Sequence, residues 1–198
     1  YGLSEAGPVV MLLDPADVAD KAGSAGRPVF FTDVRIAHPD GTVVATGDIG
    51  EILISGPNVM AGYWNEEPQD NFVAGRWLRS GDAARRDQDG YVTILGRISD
   101  SYNKDGATVH PGDLETVLRD HPAIADAAVV GIPNPGTGTR AVAFIEPTHG
   151  SPLDLDTLDR WVSARIPPSS RSDEYRVLDQ LPRNPAGKVL RSELVRRF

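Results

Sequence analysis

The chain has 198 residues, 40% of them hydrophobic and 24% charged, which suits one large or two small globular domains with a real core. A formal net charge of -8 argues against a nucleic-acid or anionic-membrane partner, both of which call for concentrated Lys and Arg. The absence of cysteine removes disulfides, thiolate nucleophiles and cysteine metal sites, and no apolar run approaches the length of a membrane span.

Residues 29–36 are β-rich, and Pro39-Asp40-Gly41 has the turn chemistry of a hairpin leading to Thr42-Val43-Val44. A second strand is expected over 51–55. Residues 57–76 mix Gly, Pro, Asn and aromatics without a period and read as an ordered loop. Asp82 follows Gly81 at what reads as a tight turn after Trp77-Leu78. Asp89-Gly90 then opens a strand over 91–95 that stops at Gly96. Beyond Asp100 the pattern changes. Pro111 at a first helical position, acids Asp113 and Glu115 in the first turn, and apolar Leu114, Val117 and Leu118 predict an amphipathic helix ending near His121-Pro122. Residues 127–132 and 141–145 read as strands joined by a Pro/Gly-rich loop over 133–138. Leu155, Leu158 and Val162 share a helix face near Trp161, and a strand at 175–178 and a helix from Ser192 follow. There is no internal repeat. The expected class is α+β: a β-rich part over 1–98 and a small α+β domain over 99–198. No secretory signal is visible, so cytoplasm is the default, and a start at Tyr1 suggests that the natural N-terminus lies elsewhere.

Four motifs carry chemistry, in the order Tyr1-Gly2-Leu3-Ser4-Glu5, Trp77-Leu78-Arg79-Ser80-Gly81-Asp82, Gly96-Arg97-Ile98-Ser99-Asp100, and Leu181-Pro182-Arg183-Asn184-Pro185-Ala186-Gly187-Lys188. Taken one by one they are bland. Lys188 would be a solvated charge, Ser4-Glu5 a helix N-cap, Asp82 a turn aspartate and Ile94 a core strand residue. Gly187-Lys188 is no Walker A loop, because Pro182 stands five residues before Gly187 and Val189 follows the lysine. His38, His110, His121 and His149 lack ligand spacing, and the serines lack a nucleophile elbow.

As an ordered set, the motifs resemble the adenylate-forming superfamily of acyl-CoA synthetases, luciferases and peptide-synthetase adenylation domains, most of all the C-terminal part of a fatty-acid–CoA ligase. Residues 26–28, 50–57 and 61–65 extend the resemblance over nearly the whole chain. It implies the β-rich end of a large nucleotide-binding domain followed by a small mobile domain. ATP, Mg2+ and CoA as co-substrate would be required, with acyl-AMP as intermediate. Adenylation brings two anions together at the α-phosphorus and needs cations and fixed donors. The resemblance makes Lys188 the lysine that supplies one, entering for adenylation and leaving afterwards. It also implies that Ser4 contacts phosphate, Glu5 helps hold magnesium, Asp82 accepts ribose hydroxyls, Ile94 packs on the nucleotide and Arg97 contacts ribose or phosphate. Asp100 would be the hinge, and the segment with Asn103, Lys104 and Gly106 would face the acceptor thiol after the swing.

Ser99, Asn103 and Asp105 depart from the pattern, since synthetases often carry basic residues at the first two positions and Gly at the third. Lys104 could replace the missing charge at Asn103, but from the opposite strand face. The family's Ser/Thr/Gly-rich phosphate loop is absent, so the chain is expected to be the last part of a larger synthetase and inactive alone. Its partners would be the N-terminal portion, a carboxylic acid, ATP and CoA, with no nucleic acid. Two other functions stay open: loading of a carrier-protein phosphopantetheine, and a non-catalytic module derived from a synthetase tail. The setting of Lys188 also resembles one in which a protein acetyltransferase modifies the lysine, which would neutralise it.

Overall fold

The computed structural model describes residues 1–65, 71–134 and 138–197, and the chain divides into two units, Tyr1–Ser99 and Asp100–Phe198. In the first, alternation decides which strand faces turn inward. Strand β1 (Met11–Leu12) pairs with β2 (Arg27–Pro28) as a small ribbon. In β3 (Asp33–Ala37), Val34 and Ile36 point into a core shared with Ile52 and Ile54 of β4 (Ile49–Ser55). Leu53, between those isoleucines, packs on the opposite face with Ala37 and Trp77. The rest of this antiparallel sheet is β5 (Phe72–Val73), β6 (Trp77–Arg86) and β7 (Val92–Arg97), in the order β3-β4-β6-β5 with β7 also against β6.

Two expectations change here. Trp77-Leu78 and Asp82 do not flank a turn but lie in one strand of ten residues. A glycine and four charged side chains hide that strand from a periodicity reading. The predicted hairpin partner 42–44 contributes only a bridge between Ala37 and Val43, although the turn itself forms, with Gly41 at φ 88° and the Asp40 carboxylate accepting from the Thr42 amide at 2.9 Å.

The second unit begins with a hairpin of β8 (Tyr102–Lys104) and β9 (Ala107–Val109). Its two-residue turn is Asp105-Gly106, both at positive φ (53° and 83°), which Asp in place of Gly at the first position tolerates because Asp enters the left-handed region readily. Helix α1 (Pro111–Arg119) follows, then β10 (Ile124–Asn134) and β11 (Gly138–Pro147), α2 (Leu155–Ser163), β12 (Glu174–Val177) and α3 (Arg191–Arg196). The sheet order is β10-β11-β12, with β12 parallel to β11. One face packs Ala127, Val129, Ala143 and Ile145 against Leu114 and Leu118 of α1 and Leu158 and Val162 of α2. The other packs Ala128, Val130, Val142 and Phe144 against Leu181 and Leu194. Each such Leu, Val or Phe contributes roughly 1.5–3 kcal/mol on burial. Asp154 caps α2, its carboxylate accepting from the Thr157 amide at 3.1 Å.

The strands β10 and β11 run longer than the apolar cores that announced them, and Asn134 pairs with Gly138. The predicted connecting loop therefore shrinks, and its middle, residues 135–137, lies outside the described residues. Glu115 is the other departure. Instead of serving the helix dipole at the surface, it is 3% exposed and bonded to arginine.

Candidate functional site

In the first unit three of the four predicted nucleotide residues, Asp82, Ile94 and Arg97, lie where β6 meets β7, while Ser4 stands in a separate turn. Asp82 pairs in register with Arg97, and Ala84 with Ile94. Gly81 precedes Asp82 with φ 71°, and its amide donates to the buried Glu51 carboxylate at 3.1 Å. A side chain at Gly81 would be strained by that φ and would meet Arg97 Nη1 at 3.4 Å. The irregularity rotates Asp82 inward, to 7% exposure.

Each oxygen of Asp82 has a partner. Oδ1 lies 3.1 Å from Arg97 Nε, and Oδ2 accepts from the Tyr1 hydroxyl at 2.5 Å. The Asp82 amide donates to Ser80 Oγ at 3.0 Å, and Arg97 Nη1 donates to the Ser80 carbonyl at 2.7 Å. Burial, reinforced by the Asp82 carboxylate, pushes the Tyr1 hydroxyl far up, so it stays a protonated donor. A carboxylate oxygen has two lone pairs, so both oxygens keep an acceptor direction for a ligand hydroxyl. Tyr1 and Ser80 were not among the predicted site residues. Both stand inside the motifs, and the only signal in the sequence is a hydroxyl within the same motif set as Asp82.

Ser4 and Glu5 lie in a 3-10 turn, Ser4–Ala6, capped by Leu3 without a side-chain bond, so Ser4 is not the helix cap. Ser4 is exposed. The Glu5 carboxylate accepts from the Tyr63 hydroxyl at 2.7 Å, and that bond, with its own backbone, holds it below the usual carboxylate range. The Glu5 carbonyl accepts from the Met60 amide at 2.8 Å, beside a cavity of about 740 Å³ lined by Ser55, Gly56, Val59, Met60, Phe72 and Arg76. Among the described residues no group of three His, Cys, Asp or Glu could enclose a metal. Glu5 is a single carboxylate, and one carboxylate encloses no metal by itself.

In the second unit, Lys188 lies exposed at the end of a tight turn. The Asn184 side-chain oxygen accepts from the amides of Ala186 at 3.0 Å and Lys188 at 2.9 Å, and Gly187 has φ 83°. Asp100 binds Arg191 Nε at 3.0 Å, and Arg191 in turn binds Glu115. In the β8–β9 hairpin, Asn103 is exposed and its oxygen accepts from the Gly106 amide at 3.2 Å. Lys104 points the other way. Its ammonium is held by Asp173 at 2.7 Å and the Arg171 carbonyl at 2.8 Å, so it does not replace a charge at Asn103.

Comparison with known proteins identifies relatives along the whole chain. The family model for AMP-binding enzymes matches residues 1–64, and that for the AMP-binding enzyme C-terminal domain matches residues 113–188. Feruloyl-CoA synthase of Amycolatopsis sp is 41% identical over 199 residues, covering 100% of this chain and 40% of the relative. The structure of o-succinylbenzoate coenzyme A synthetase (MenE) from Bacillus subtilis in complex with ATP and magnesium ion superposes with a TM-score of 0.87 at 34% identity, over 98% of this chain and 40% of that one. The amide bond synthetase McbA from Marinactinospora thermotolerans gives a TM-score of 0.93 at 29% identity, over 100% and 41%. The chain thus spans about 40% of the length of the relatives it matches. No helix among the described residues is long and apolar enough to cross a membrane.

Proposed function

The chain belongs to the AMP-binding, adenylate-forming enzymes, and from that premise we propose that it supplies the ribose-binding carboxylate and the adenylating lysine of an ATP-dependent acid–CoA ligase. The observation that carries this reading is Asp82: a buried carboxylate, held on both oxygens by Tyr1 and Arg97, with one acceptor direction left on each for the two ribose hydroxyls. Ile94, half-buried on the adjoining strand, offers an apolar contact for the nucleotide.

In the first half-reaction a carboxylate oxygen of the acid attacks the α-phosphorus of ATP, the new P–O bond forms and pyrophosphate leaves. Charge gathers on the phosphoryl oxygens, and the Lys188 ammonium, long and exposed at the end of its turn, is suited to reach acid and phosphate together. Ser4 is exposed where it can donate to phosphate, and Glu5, anionic through the neutral range, supplies a magnesium ligand. The ion would neutralise phosphate charge when bound. In the second half-reaction the CoA thiol attacks the acyl carbonyl and AMP leaves. Asp100 serves as the hinge between the two poses, and the exposed Asn103–Gly106 turn meets the acceptor. The acid is apolar. The similarity to feruloyl-CoA synthase of Amycolatopsis sp favours an aromatic acid of the feruloyl kind over a fatty one. The exposed Lys188 turn also supports regulation by acetylation.

The test places this chain in the frame of the Amycolatopsis feruloyl-CoA synthase, replacing its matching residues, and measures acid-dependent ATP–pyrophosphate exchange over aromatic and fatty acids. Exchange that falls by about 10²- to 10³-fold in Lys188→Ala is the expected result. Full exchange in that variant would overturn the assignment, and a chimera that binds no ATP would favour a non-catalytic module.

A further inference from the structure

On the sheet of the second unit, Asp126 of β10 and Glu146 of β11 are register partners, two carboxylates side by side on a ladder. Such a like-charge pair is unfavourable unless a cation sits on it. Arg183 supplies that cation. Its Nη2 binds Asp126 Oδ2 at 2.6 Å and Glu146 Oε2 at 3.4 Å, while its Nη1 donates to the carbonyl of Gly187 at 3.0 Å. One guanidinium thus joins the sheet to the peptide group that immediately precedes Lys188. We propose that the Asp126–Arg183 pair is a positioning device for Lys188, holding the backbone from which the lysine extends at a fixed place on the sheet. This rests on the reading of Lys188 as the adenylating lysine.

The remaining bonds of the turn are local. The Asn184 side-chain oxygen holds the Ala186 and Lys188 amides, the Gly187 amide donates to the Asn184 carbonyl, and the Asn184 amide donates to the Lys188 carbonyl, both at 2.9 Å. These give the turn its shape, but they lie within residues 184–188 and set no orientation relative to the rest of the unit. The Leu190 amide to the Pro182 carbonyl, at 2.8 Å, closes the base of the loop. The Leu181 amide, donating to Glu146 Oε2 at 2.9 Å, anchors the entry of the loop to the sheet, and among the described residues Arg183 is the side chain that ties the tip to it. Lysine cannot replace it, because an ammonium lacks the planar fork that addresses a carboxylate and a carbonyl in two directions. Asp126 is itself fixed, since its other oxygen takes Arg119 Nε at 2.7 Å and the Ala127 amide at 2.8 Å.

The device acts through geometry, not stability. Partly exposed ion pairs contribute little to folding, whereas a misplacement of about 1 Å in a reacting group costs up to 10²-fold in rate. The experiment uses the chimera proposed above, the adenylation-competent polypeptide, with Arg183→Gln, Arg183→Lys, Asp126→Asn and Lys188→Ala. For Arg183→Gln, kcat of pyrophosphate exchange is expected to fall by about 10- to 100-fold, with KM for ATP and for the acid within about threefold. Thioester formation from preformed acyl adenylate should stay near the parent rate, and Arg183→Lys should fail to rescue exchange. In the 198-residue chain, hydrogen exchange should accelerate at the Gly187 and Lys188 amides and stay unchanged at Leu158 and Val162. If exchange turnover is unchanged in Arg183→Gln while Lys188→Ala abolishes it, the positioning role is overturned and the lysine assignment stands. If both half-reactions fall in parallel with the melting temperature, the pair is structural only. Full exchange in Lys188→Ala would remove the premise itself.

Discussion

Arg191 and Glu115 meet in a two-pronged pair, Nη1 to Oε1 at 2.5 Å and Nη2 to Oε2 at 3.0 Å. The same arginine reaches Asp100 through Nε at 3.0 Å, so the residue at the start of the second unit, helix α1 and helix α3 share one guanidinium. Glu115 Oε1 also accepts from the Val129 amide at 2.8 Å. Glu115→Ala would leave a largely buried arginine and a strand amide without their acceptor. A loss of about 3–5 kcal/mol is expected, read as a lower urea midpoint at an unchanged slope. A loss under about 1 kcal/mol would show that the pair does not hold α3 to the sheet.

What could be read from the residues follows from where the information is local. The helix opened by Pro111 and the apolar cores of β10 and β11 follow from period and turn chemistry within a few neighbours. Strand β6 escaped because its sheet membership is decided by partners. Gly81 at positive φ is held by Glu51 from another strand, and Arg79 is neutralised by that same carboxylate at 2.6 Å. The inward turn of Asp82 depends on that arrangement. Likewise nothing within the helical period of α1 marks Glu115 as buried, since its partner stands at Arg191. Of the candidate site, the motifs located Asp82 and Arg97, which the fold brings into contact. The supporting hydroxyl of Tyr1 is 81 residues away from Asp82 in sequence, and that pairing is a tertiary fact.

Among the described residues the buried Tyr102 hydroxyl has no hydrogen-bond partner, and burial pushes its ionisation up to about 12. Its side chain lies against Gly131, where an added Cβ would come to 2.5 Å from Tyr102 Cβ and Cγ. Tyr102→Phe removes an unsatisfied polar atom at constant shape, so the melting temperature is expected to rise, by up to about 1 kcal/mol in stability. Gly131→Ala should move the other way by about 1–3 kcal/mol through overpacking. Destabilisation by Tyr102→Phe would reveal a partner for the hydroxyl in solution.

Asp82 and Tyr1 can be separated by nucleotide affinity. Asp82→Ala deletes both acceptors offered to ribose and frees Arg97 from its ion pair. The KM for ATP in the adenylation-competent polypeptide is expected to rise by at least about 10-fold, since a bond to a charged acceptor is worth about 1.5–3 kcal/mol. Tyr1→Phe keeps the carboxylate and removes only its donor, so the rise should stay within about threefold. Equal effects of the two substitutions would mean that Asp82 orders the protein and does not bind nucleotide.

His110 precedes α1 as its N-cap residue, its Nδ1 lying 2.8 Å from Ser101 Oγ. Burial lowers its ionisation below the usual 6.5, and the Asp113 carboxylate only partly opposes this. The folded state therefore binds the proton less readily than the unfolded chain, whose histidine takes it up at about pH 6.5. The sign follows: this contribution to stability is fully present above about pH 6.5 and is lost as pH falls through the lower, folded-state value. Asp126 behaves in a separate window. Burial raises its ionisation, but the bonds from Arg119 and Arg183 more than offset that, so its contribution is present above about pH 4 and fades only in stronger acid. His110→Asn keeps a side chain favoured at the helix cap and removes the titration. Urea midpoints of the parent chain should fall between about pH 7 and pH 5, whereas those of the variant should fall less over that interval and converge with the parent's slope near pH 4. Parallel slopes from pH 7 to pH 5 would show that His110 is protonated as easily in the folded chain as in the unfolded one.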